Sequence, residues 1–327
     1  MKEFYVQDAP RFENMVITSY FCVSQMQKRD KKTGGQYLAL TLSDKTGALE
    51  ARMWDDFAEA VATCTEGGYA KVQGQISNYK GKWQITLTKM RNAAESEVDT
   101  ADFQAVSEFP VAQMDVELRA IVDNFKDADL KRLVLSFLDD EEIGPAFRVA
   151  PAAKMLHHAW ISGLLEHVLT LVRVCLATAP FYPEVNQDLL VTGAILHDIG
   201  KVKELSWKTN FAYTLEGQMI GHISIAQGLL REKVKELAPF PERLRILVEH
   251  MILSHHGKYE FGSPKLPMTP EAMLLSALDD LEAKFAAMRR EFAAAESSGK
   301  AADETTEWVR SMDRPLFNSQ RWLADEE

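Results

Sequence analysis

The first 92 residues contain short runs in which apolar and polar positions alternate, which is the pattern of half-buried β-strands. The turn sequences KRDKKTGG, DKTG and NYKG separate some of these runs, and a short helical stretch, DDFAEAVA, lies between the third and fourth runs. The predicted strands cover residues 14–25, 36–43, 48–54, 69–77 and 82–90. Five strands with a helix between the third and fourth predict a small all-β barrel of the OB type.

Beyond these strands, the apolar residues are spaced three and four positions apart, which predicts amphipathic helices. Seven such stretches predict an all-α helical bundle over residues 114–292. Between the two patterns, residues 93–113 are acidic and small and include Pro110, which predicts a linker. Residues 293–327 begin as an exposed Ala-, Ser- and Glu-rich segment and end in a tail with aromatic residues. The sequence therefore predicts two domains, with the barrel in residues 1–92.

Charge is distributed unevenly between these domains. Residues 1–92 hold 13 Lys and Arg against 10 Asp and Glu, a balance of +3, whereas the remainder carries −14 within the net charge of −11. This asymmetry predicts different partners for the two domains, and an acidic enzyme can act on nucleic acid if another domain or a metal offsets the repulsion. No apolar run reaches the roughly 20 residues that cross a bilayer, so we expect no membrane partner. The acidic N-terminus lacks a signal-peptide core, which predicts a cytoplasmic protein.

The helical domain contains the residues with the clearest chemistry. All eight histidines lie between His157 and His256. Imidazole and carboxylate groups together are ligands for zinc, manganese, iron and cobalt. The adjacent pair His197-Asp198 is informative, because one backbone position can offer a nitrogen to one metal and a bridging carboxylate to a second. The candidate metal ligands, on or beside different predicted helices, are His167, His197, Asp198, His222, His255 and Asp279.

For each histidine the alternative is an ordinary hydrogen-bonded core residue, and for His167 alone that interpretation would suffice. Asp198 is harder to explain, because it follows the apolar run GAIL and a buried carboxylate without a partner costs several kcal/mol. Lys201 is the plain structural partner for this carboxylate, and a metal is the functional one. The number of candidate ligands on successive helices favours the metal.

The order His…His-Asp…His…His…Asp resembles the HD superfamily of metal-dependent phosphohydrolases. His167 in LLEHV resembles the first ligand, and LHDIGK holds the His-Asp pair. His222 in GHI and one of His255 and His256 in LSHHG resemble the additional histidines of two-metal members. Asp279 in ALDDLEAK resembles the closing aspartate, in preference to the aspartate that follows it, because D-x-L-[DE]-A is the family's usual setting for that ligand.

The match extends beyond the ligands. The segments HHAWISGLLEHV, LHDIGKVKEL, YTLEGQMIGHI, LSHHGKYEFGSPKLP and LDDLEAK, behind an OB-type barrel, resemble the YhaM-type 3′–5′ exoribonucleases over almost the whole chain. The resemblance implies single-stranded RNA, and ssDNA as a further substrate, degraded from the 3′ end to nucleoside 5′-monophosphates. It implies two divalent metal ions, with manganese expected first and cobalt, iron, zinc or nickel as alternatives.

In this interpretation three residues take part in catalysis. Asp198 bridges the metals and orients the attacking water. Lys201, one helical turn further on, contacts a non-bridging phosphate oxygen, with a salt bridge to Glu204 as the structural alternative. His256 is either a ligand or a donor to phosphate, and we expect one of His255 and His256 not to be a ligand.

Binding of single-stranded nucleic acid requires positive charge for the phosphates and aromatic faces for the bases. In the barrel such residues cluster in the first loop and in the last hairpin, where Tyr79 and Trp83 stand beside two lysines. The structural alternatives are a solvated loop for the lysines and core packing for Trp54, since a small barrel must fill its interior. The candidate nucleic-acid contacts are Lys28, Lys31, Tyr37, Trp54, Tyr79, Lys80, Lys82 and Trp83.

Two other functions are compatible with parts of this pattern. An HD phosphohydrolase of a small nucleotide or cyclic dinucleotide would need the same ligands, but it would need no barrel for a polymer. A non-catalytic nucleic-acid-binding protein would need the barrel, but it would need no complete ligand set. The roles of His157 and His158 and the oligomeric state, including a homo-oligomer, stay open from the sequence.

Overall fold

The computed structural model describes residues 2–31, 34–79, 81–153, 160–207, 211–297 and 299–324. The chain forms two compact units. One unit spans Met1–Val106 and Trp207–Asn210, and the other spans Ser107–Ser206 and Phe211–Glu327. The prediction of two domains of different class is confirmed, and each unit is described by itself below.

The first unit is a closed five-stranded barrel. Its strands are β1 (Val16–Asp30), β2 (Gln36–Asp44), β3 (Gly47–Met53), β4 (Tyr69–Tyr79) and β5 (Lys82–Ala93), and helix α1 (Ala58–Thr63) lies between β3 and β4. The strand order is β1-β2-β3-β5-β4, and β4 pairs back onto β1. All pairs are antiparallel except β3 with β5, which are parallel. The predicted OB-type barrel is confirmed.

Alternation along the strands fills the barrel interior. On β2, for example, Leu38, Leu40 and Leu42 are buried, while the residues between them are partly exposed. Strand β1 extends further than predicted, because an irregularity between Val23 and Gln25 lets its first half pair with β4 and its second half with β2. One long strand therefore closes the barrel by serving two neighbours.

The structure divides the predicted linker, residues 93–113, into two parts. Its first part belongs to the barrel unit, because Phe103 is buried against Tyr69 at a ring distance of 4.8 Å. The side chain of Asp102 also accepts a hydrogen bond from the Tyr5 hydroxyl at 2.6 Å. The second part leads into the helical unit, whose first helix begins at Val111. An acidic, small-residue composition predicted a linker and gave no sign of these contacts.

The second unit is helical. Its elements are α2 (Val111–Asp123), α3 (Ala128–Leu138), α4 (Ile143–Val149), α5 (Gly163–Thr178), α6 (Gln187–Leu196), α7 (Lys201–Glu204), α8 (Leu215–Ile220), α9 (His222–Glu236), α10 (Glu242–Ser254), α11 (Pro270–Ser297) and α12 (Ser319–Ala324), with the short strands β6 (Leu205–Ser206) and β7 (Ala212–Tyr213). The predicted all-α bundle is thus confirmed apart from this two-stranded ribbon. Helix α11 continues past residue 292, where the sequence predicted an exposed segment.

Helices α5, α6 and α11 form the centre of this unit. Helix α6 is buried from Leu189 to Leu196, as expected for a helix that is apolar all round. By length and composition alone, Gly163–Phe181 could cross a membrane, with a mean hydropathy of 1.5, whereas the sequence predicted no apolar run of that length. Half of its window is buried inside the unit, as is usual for a core helix.

Candidate metal centre and nucleic-acid contacts

The candidate ligands come from five places in the helical unit. His167 lies on α5, His197 and Asp198 follow α6, His222 begins α9, and Asp279 lies on α11. The pair His255-His256 directly follows α10. A glycine permits this convergence, because a Cβ on Gly200 would lie 2.0 Å from the carbonyl oxygen of His222.

Three of the ligands form a group in which the two histidines are buried and Asp279 is partly exposed. The Nε2 atom of His167 lies 3.3 Å from Asp279 Oδ1 and 3.4 Å from the Nε2 atom of His197. The distance between His197 Nε2 and Asp279 Oδ1 is 3.8 Å. These ligand atoms lie within 4.8 Å of one another and can therefore hold one metal ion.

Asp198 joins this group to a second one. Its Oδ2 atom lies 3.3 Å from His197 Nε2, while its Oδ1 atom lies 3.4 Å from His222 Nε2 and 3.8 Å from His255 Nε2. His222, His255 and His256 also offer ligand atoms within 4.8 Å of one another. One carboxylate therefore faces two sets of imidazoles, which is the arrangement that a bridging ligand requires.

The five clustered histidines share one orientation. In each of them, Nδ1 faces an oxygen, which leaves Nε2 directed at the cluster. The partners are Glu282 for His167 (2.8 Å), the Ala194 carbonyl for His197 (2.9 Å), Glu204 for His222 (3.0 Å), the Ile252 carbonyl for His255 (2.8 Å) and the Phe261 carbonyl for His256 (2.8 Å). A carbonyl oxygen only accepts, so the proton of a neutral ring sits on Nδ1 and Nε2 presents its lone pair. Metal-binding histidines are held in this way.

Two buried nitrogen atoms test whether the residues fit a metal. The Nε2 atoms of His222 and His255 are buried and have no hydrogen-bond partner among the described residues. An unsatisfied buried polar atom is costly, and a bound cation would satisfy it. Burial and the neighbouring His197 lower the pKa of His255 well below its ordinary value, so this ring is neutral and able to coordinate. The residues present therefore fit a divalent metal centre.

The group of His167, His197 and Asp279 differs from the second set of imidazoles in its charge, because carboxylates in contact with His167 favour a protonated histidine. Burial opposes protonation of His167, but its hydrogen bonds with Asp279 and Glu282 outweigh burial and raise its pKa to about 10. Burial disfavours the charged form of Asp279, but His167 and His197 hold its pKa below the ordinary value. The site thus attracts positive charge, which is what a cation between these side chains would supply.

Lys201 forms an ion pair with Asp198, which is the structural alternative to a metal that the sequence offers for this carboxylate. Its Nζ atom lies 2.6 Å from Asp198 Oδ2. Burial penalises both charges, but Lys201 and His197 hold the pKa of Asp198 well below its ordinary range, and Asp198 raises that of Lys201. Glu204, the structural alternative that the sequence offers as a partner for Lys201, accepts hydrogen bonds from the backbone and Nδ1 of His222. Lys201 therefore places a cation at the edge of the cluster.

Sequence reasoning missed two orienting carboxylates. Glu282 is buried and faces His167, and Glu204 is buried and holds His222. Glu282 lies three residues after Asp279, on the same face of α11, so helical spacing from a candidate ligand was the available signal. His250 lies away from the cluster and accepts a hydrogen bond from the Met268 amide at 3.0 Å. His157 and His158 lie outside the described residues.

The barrel candidates fall into two places. Tyr37 and Trp54 stack on each other at the ends of β2 and β3, with a ring distance of 4.7 Å. Lys31 lies 5.9 Å from the Trp54 ring and makes an ion pair with Asp55 at 3.0 Å. The three predicted residues Lys31, Tyr37 and Trp54 thus form one cation-aromatic group, which we call the Trp54 group.

The other barrel candidates are more dispersed. Lys28 is exposed near the end of β1, and Tyr79 and Lys82 are exposed and paired across the β4–β5 hairpin. Trp83 is partly buried and packs against the barrel core, of which the fully buried Ile85 is a part, so its ring helps to fill the interior. Lys80 lies outside the described residues.

Comparison with known proteins agrees with both units. Residues 164–284 match the HD domain, and residues 23–93 match an OB-fold nucleic acid binding domain. The chain is 34% identical over 302 residues to the 3′-5′ exoribonuclease YhaM of Halalkalibacterium halodurans, and the match covers 92% of each chain. The chain belongs to the YhaM family. The YhaM protein of Bacillus subtilis is 36% identical over 84% of this chain and 87% of its own.

Solved structures give a weaker likeness. Part of the chain is similar to the second OB-fold domain of replication protein A from Methanococcus maripaludis, with 20% identity and a TM-score of 0.22. The similarity covers 25% of this chain and 88% of that one. The assignment to the YhaM family rests on the full-length relatives, and membership explains why a barrel and an HD unit occur in one chain. The HD match and the His/Asp cluster together indicate dependence on a divalent metal.

Proposed function

We propose that this chain is a metal-dependent 3′–5′ exoribonuclease that shortens single-stranded RNA from its 3′ end and releases nucleoside 5′-monophosphates. The observation that carries the proposal is the joined cluster around Asp198, in which one buried carboxylate faces imidazoles on both sides. Relatives that match 92% of the chain and are named 3′-5′ exoribonucleases support the direction and the substrate. Single-stranded DNA is the secondary substrate of the proposal.

The residues would hold two divalent metal ions, for which manganese is our first choice. His167, His197 and Asp279 would hold one, His222, His255 and His256 the other, and Asp198 would contact both. This assignment gives both His255 and His256 a ligand role, in contrast to the expectation from the sequence. Bound divalent ions polarise the scissile phosphate and lower the pKa of an attacking water.

The remaining residues of the site position these groups. Carbonyl and carboxylate oxygens hold each Nδ1–H, so the five Nε2 atoms are directed before substrate arrives. Lys201 fixes the Asp198 carboxylate through its 2.6 Å contact and offers a cation to a non-bridging phosphate oxygen. Glu204 and Glu282 hold His222 and His167, so loss of either carboxylate would loosen a ligand without removing it.

The barrel would hold the strand. OB folds bind oligonucleotides with the face of strands 2 and 3 and with the loops between strands 1 and 2 and between strands 4 and 5. The Trp54 group lies at the ends of β2 and β3, and Tyr79 and Lys82 lie in the β4–β5 hairpin. Aromatic faces with nearby lysines supply stacking and phosphate contacts without strong sequence preference.

Labelled RNA tests the proposed function directly. We would incubate the protein and manganese with 5′-labelled or 3′-labelled single-stranded RNA, beside the Asp198→Ala variant. The 5′-labelled RNA should shorten in a ladder, and the 3′ label should leave at once as a monophosphate. Asp198→Ala should be inactive, whereas Asp280→Ala should retain activity, because Asp280 is exposed and pairs with Lys284 on the outside of α11.

Each negative outcome of this assay would contradict a different part of the proposed function. Intact RNA together with hydrolysis of free nucleotides would contradict the substrate and leave the metal centre standing. Intact RNA and intact nucleotides with every divalent ion would favour the non-catalytic alternative. Equal activity of wild type and Asp198→Ala would contradict the role of the cluster.

A further inference from the structure

The loop that follows the last two histidines exposes aromatic rings beside the metal centre. Tyr259 and Phe261 lie three and five residues after His256, in a short 3-10 turn, and they are 65% and 55% exposed. The carbonyl oxygen of Phe261 accepts the Nδ1 hydrogen of His256 at 2.8 Å. The backbone of the loop is therefore in direct contact with a residue of the cluster.

The loop is held firmly at both ends. Gly257 adopts φ +75°, and a Cβ at this position would lie 2.4 Å from the Ser276 hydroxyl on α11. At the other end, the buried Ser263 donates its hydroxyl to the Lys265 carbonyl at 2.7 Å and its amide to the Lys258 carbonyl at 3.2 Å. These contacts hold the backbone that carries the two rings.

A cation and an anion lie beside these rings. Lys258 is exposed, and its Nζ atom lies 5.1 Å from the centre of the Phe261 ring. It also lies 3.6 Å from Glu260, an exposed carboxylate. A cation next to exposed ring faces suits a ligand that combines a flat aromatic group with a phosphate, which is the composition of a nucleotide.

We propose that residues 257–262 form a subsite that stacks the base of the 3′-terminal nucleotide, with Tyr259 and Phe261 supplying ring faces and Lys258 contacting phosphate. The inference rests on the proposed function and adds a site to it. Since the barrel is proposed to hold the upstream strand, the terminal base is the one that the helical unit itself must hold. Rings on the loop that contacts His256 would bring each new terminal nucleotide to the same place after every cleavage.

A paired change in protein and substrate tests this subsite. We would measure kcat and KM for Tyr259→Ala and Phe261→Ala on RNA with an ordinary or an abasic 3′-terminal nucleotide. Phe261→Ala removes the ring and keeps the carbonyl that orients His256. On ordinary RNA each variant should lose about five- to 100-fold in kcat/KM, mainly through KM. On RNA with an abasic end the variants and wild type should be equal, because the base that the rings would contact is missing.

Matched variants separate stacking from structural damage. Tyr259→Phe and Phe261→Tyr keep a ring and should restore activity. Phe181→Ala removes an 80% exposed ring that follows α5, 14 residues beyond His167 and thus about 20 Å along the helix, and it should change neither constant.

Several results would overturn the subsite. Equal losses of kcat/KM on both RNAs would indicate a structural role for the rings. If only an abasic penultimate nucleotide made the variants and wild type equal, the rings would contact the penultimate base and not the terminal one. If light scattering showed a changed oligomeric mass in either alanine variant, the rings would be a contact between copies of the chain. Wild type that shortens RNA together with unaffected variants would refute the subsite alone. Wild type that leaves RNA intact would refute the proposed function, and the subsite with it.

Discussion

Each unit of the molecule buries charged groups, but the two clusters differ in how their atoms are satisfied. In the barrel, the Lys2 ammonium lies 3.1 Å from Asp44 and also donates to the Tyr20 carbonyl. Asp44 in turn accepts from the amides of Val6 and Thr46, each at 2.9 Å. Both charges therefore have complete sets of partners, and burial can be tolerated.

The cluster of the helical unit is incomplete by the same measure. The buried Nε2 atoms of His222 and His255 lack hydrogen-bond partners among the residues that the structure describes, although Asp198 Oδ1 lies 3.4 Å and 3.8 Å away. Lys2 and Asp44 show the usual case, in which buried polar atoms are paired, so two unpaired buried imidazole nitrogens need another explanation. The comparison indicates that a buried ionisable cluster is structural when it is complete and functional when a cation would complete it.

Removal of the metal should produce the largest difference between the units. Chelation should lower the rate of RNA shortening at least ~1000-fold, equivalent to about 4 kcal/mol of transition-state stabilisation. It should also destabilise the helical unit, because a metal that binds only the folded state stabilises it. Binding of single-stranded RNA to the barrel should persist. Activity assays, peptide-resolved hydrogen exchange and RNA-binding titrations would measure the three effects.

Added manganese should reverse both losses. If chelation also loosened β1 and β4 of the barrel, the assignment of the metal to the helical cluster alone would be wrong. Unchanged hydrogen exchange around α6 and α9 would contradict the view that a cation satisfies the bare nitrogens.

The Lys2–Asp44 cluster of the barrel should affect stability without affecting metal content. Asp44→Asn leaves the Lys2 ammonium buried without a counter-charge, which should lower the free energy of unfolding of the barrel by on the order of 3 kcal/mol. Hydrogen exchange in β1 and β2 would detect the loss, and metal content should stay the same. Asp55→Asn is the matched control, since its carboxylate is exposed and pairs with Lys31 at the surface. Similar stability of the two variants would show that the buried pair contributes little.

A carboxylate that orients a ligand should have an intermediate effect. Glu282→Gln weakens the acceptor that faces His167 Nδ1, so affinity for manganese should fall about 10- to 100-fold. Activity should recover at high manganese, because every ligand is retained. Glu117→Gln changes a partly exposed glutamate on α2 that pairs with Arg173, and it should leave metal affinity unchanged. Activity that stays low at saturating manganese would mean that Glu282 does more than orient His167.

The fold could be predicted where the pattern is local. Alternation, together with β-branched and aromatic residues in the first strand, predicted the five strands of the barrel, and helical spacing predicted the long helices. The second half of β1 was missed, because Gln27–Asp30 is polar and reads as loop, although a new partner, β2, continues the strand. Helix α4 was also missed, since it is short and contains Pro145. Both features depend on long-range pairing and packing, which a local pattern does not contain.

For the site, the identity of the side chains was predictable from the sequence but their orientation was not. The order of His and Asp residues and its resemblance to the HD superfamily predicted the His and Asp side chains that the structure brings together, and their role as metal ligands stays a prediction. Their orientation was not predictable, since the carbonyls that hold His197, His255 and His256 come from the backbone. Glu282 was missed because a glutamate in the acidic stretch LDDLEAK has the appearance of a solvated residue. For the barrel contacts, the sequence did not reveal which aromatic rings face inward, and Trp83 does so in part.

The smallest expected effect concerns a third charged cluster, which is complete but partly exposed. The Ile143 amide and the Lys233 ammonium, at 2.8 and 2.6 Å, lower the pKa of Asp140 to about 2. A carboxylate whose pKa is lowered by folding adds stability above its unfolded pKa of about 3.9, and this stability is lost as the pH falls towards the folded value. Because the Asp140 side chain is 21% exposed, solvent screens the contact, and we expect a contribution of only about 1 kcal/mol.

Asp140→Asn should therefore lower the free energy of unfolding of the helical unit by about 1 kcal/mol at pH 6, since the amide keeps an acceptor but loses the charge. The difference from wild type should shrink between about pH 4 and pH 2, where the wild-type carboxylate takes up its proton. Urea titrations across this range would measure it, with Asp303→Asn as an exposed control. A difference that stays constant with pH would assign the effect to the hydrogen bonds of Asp140 rather than to its charge, and charge completeness would then not be what stabilises this cluster.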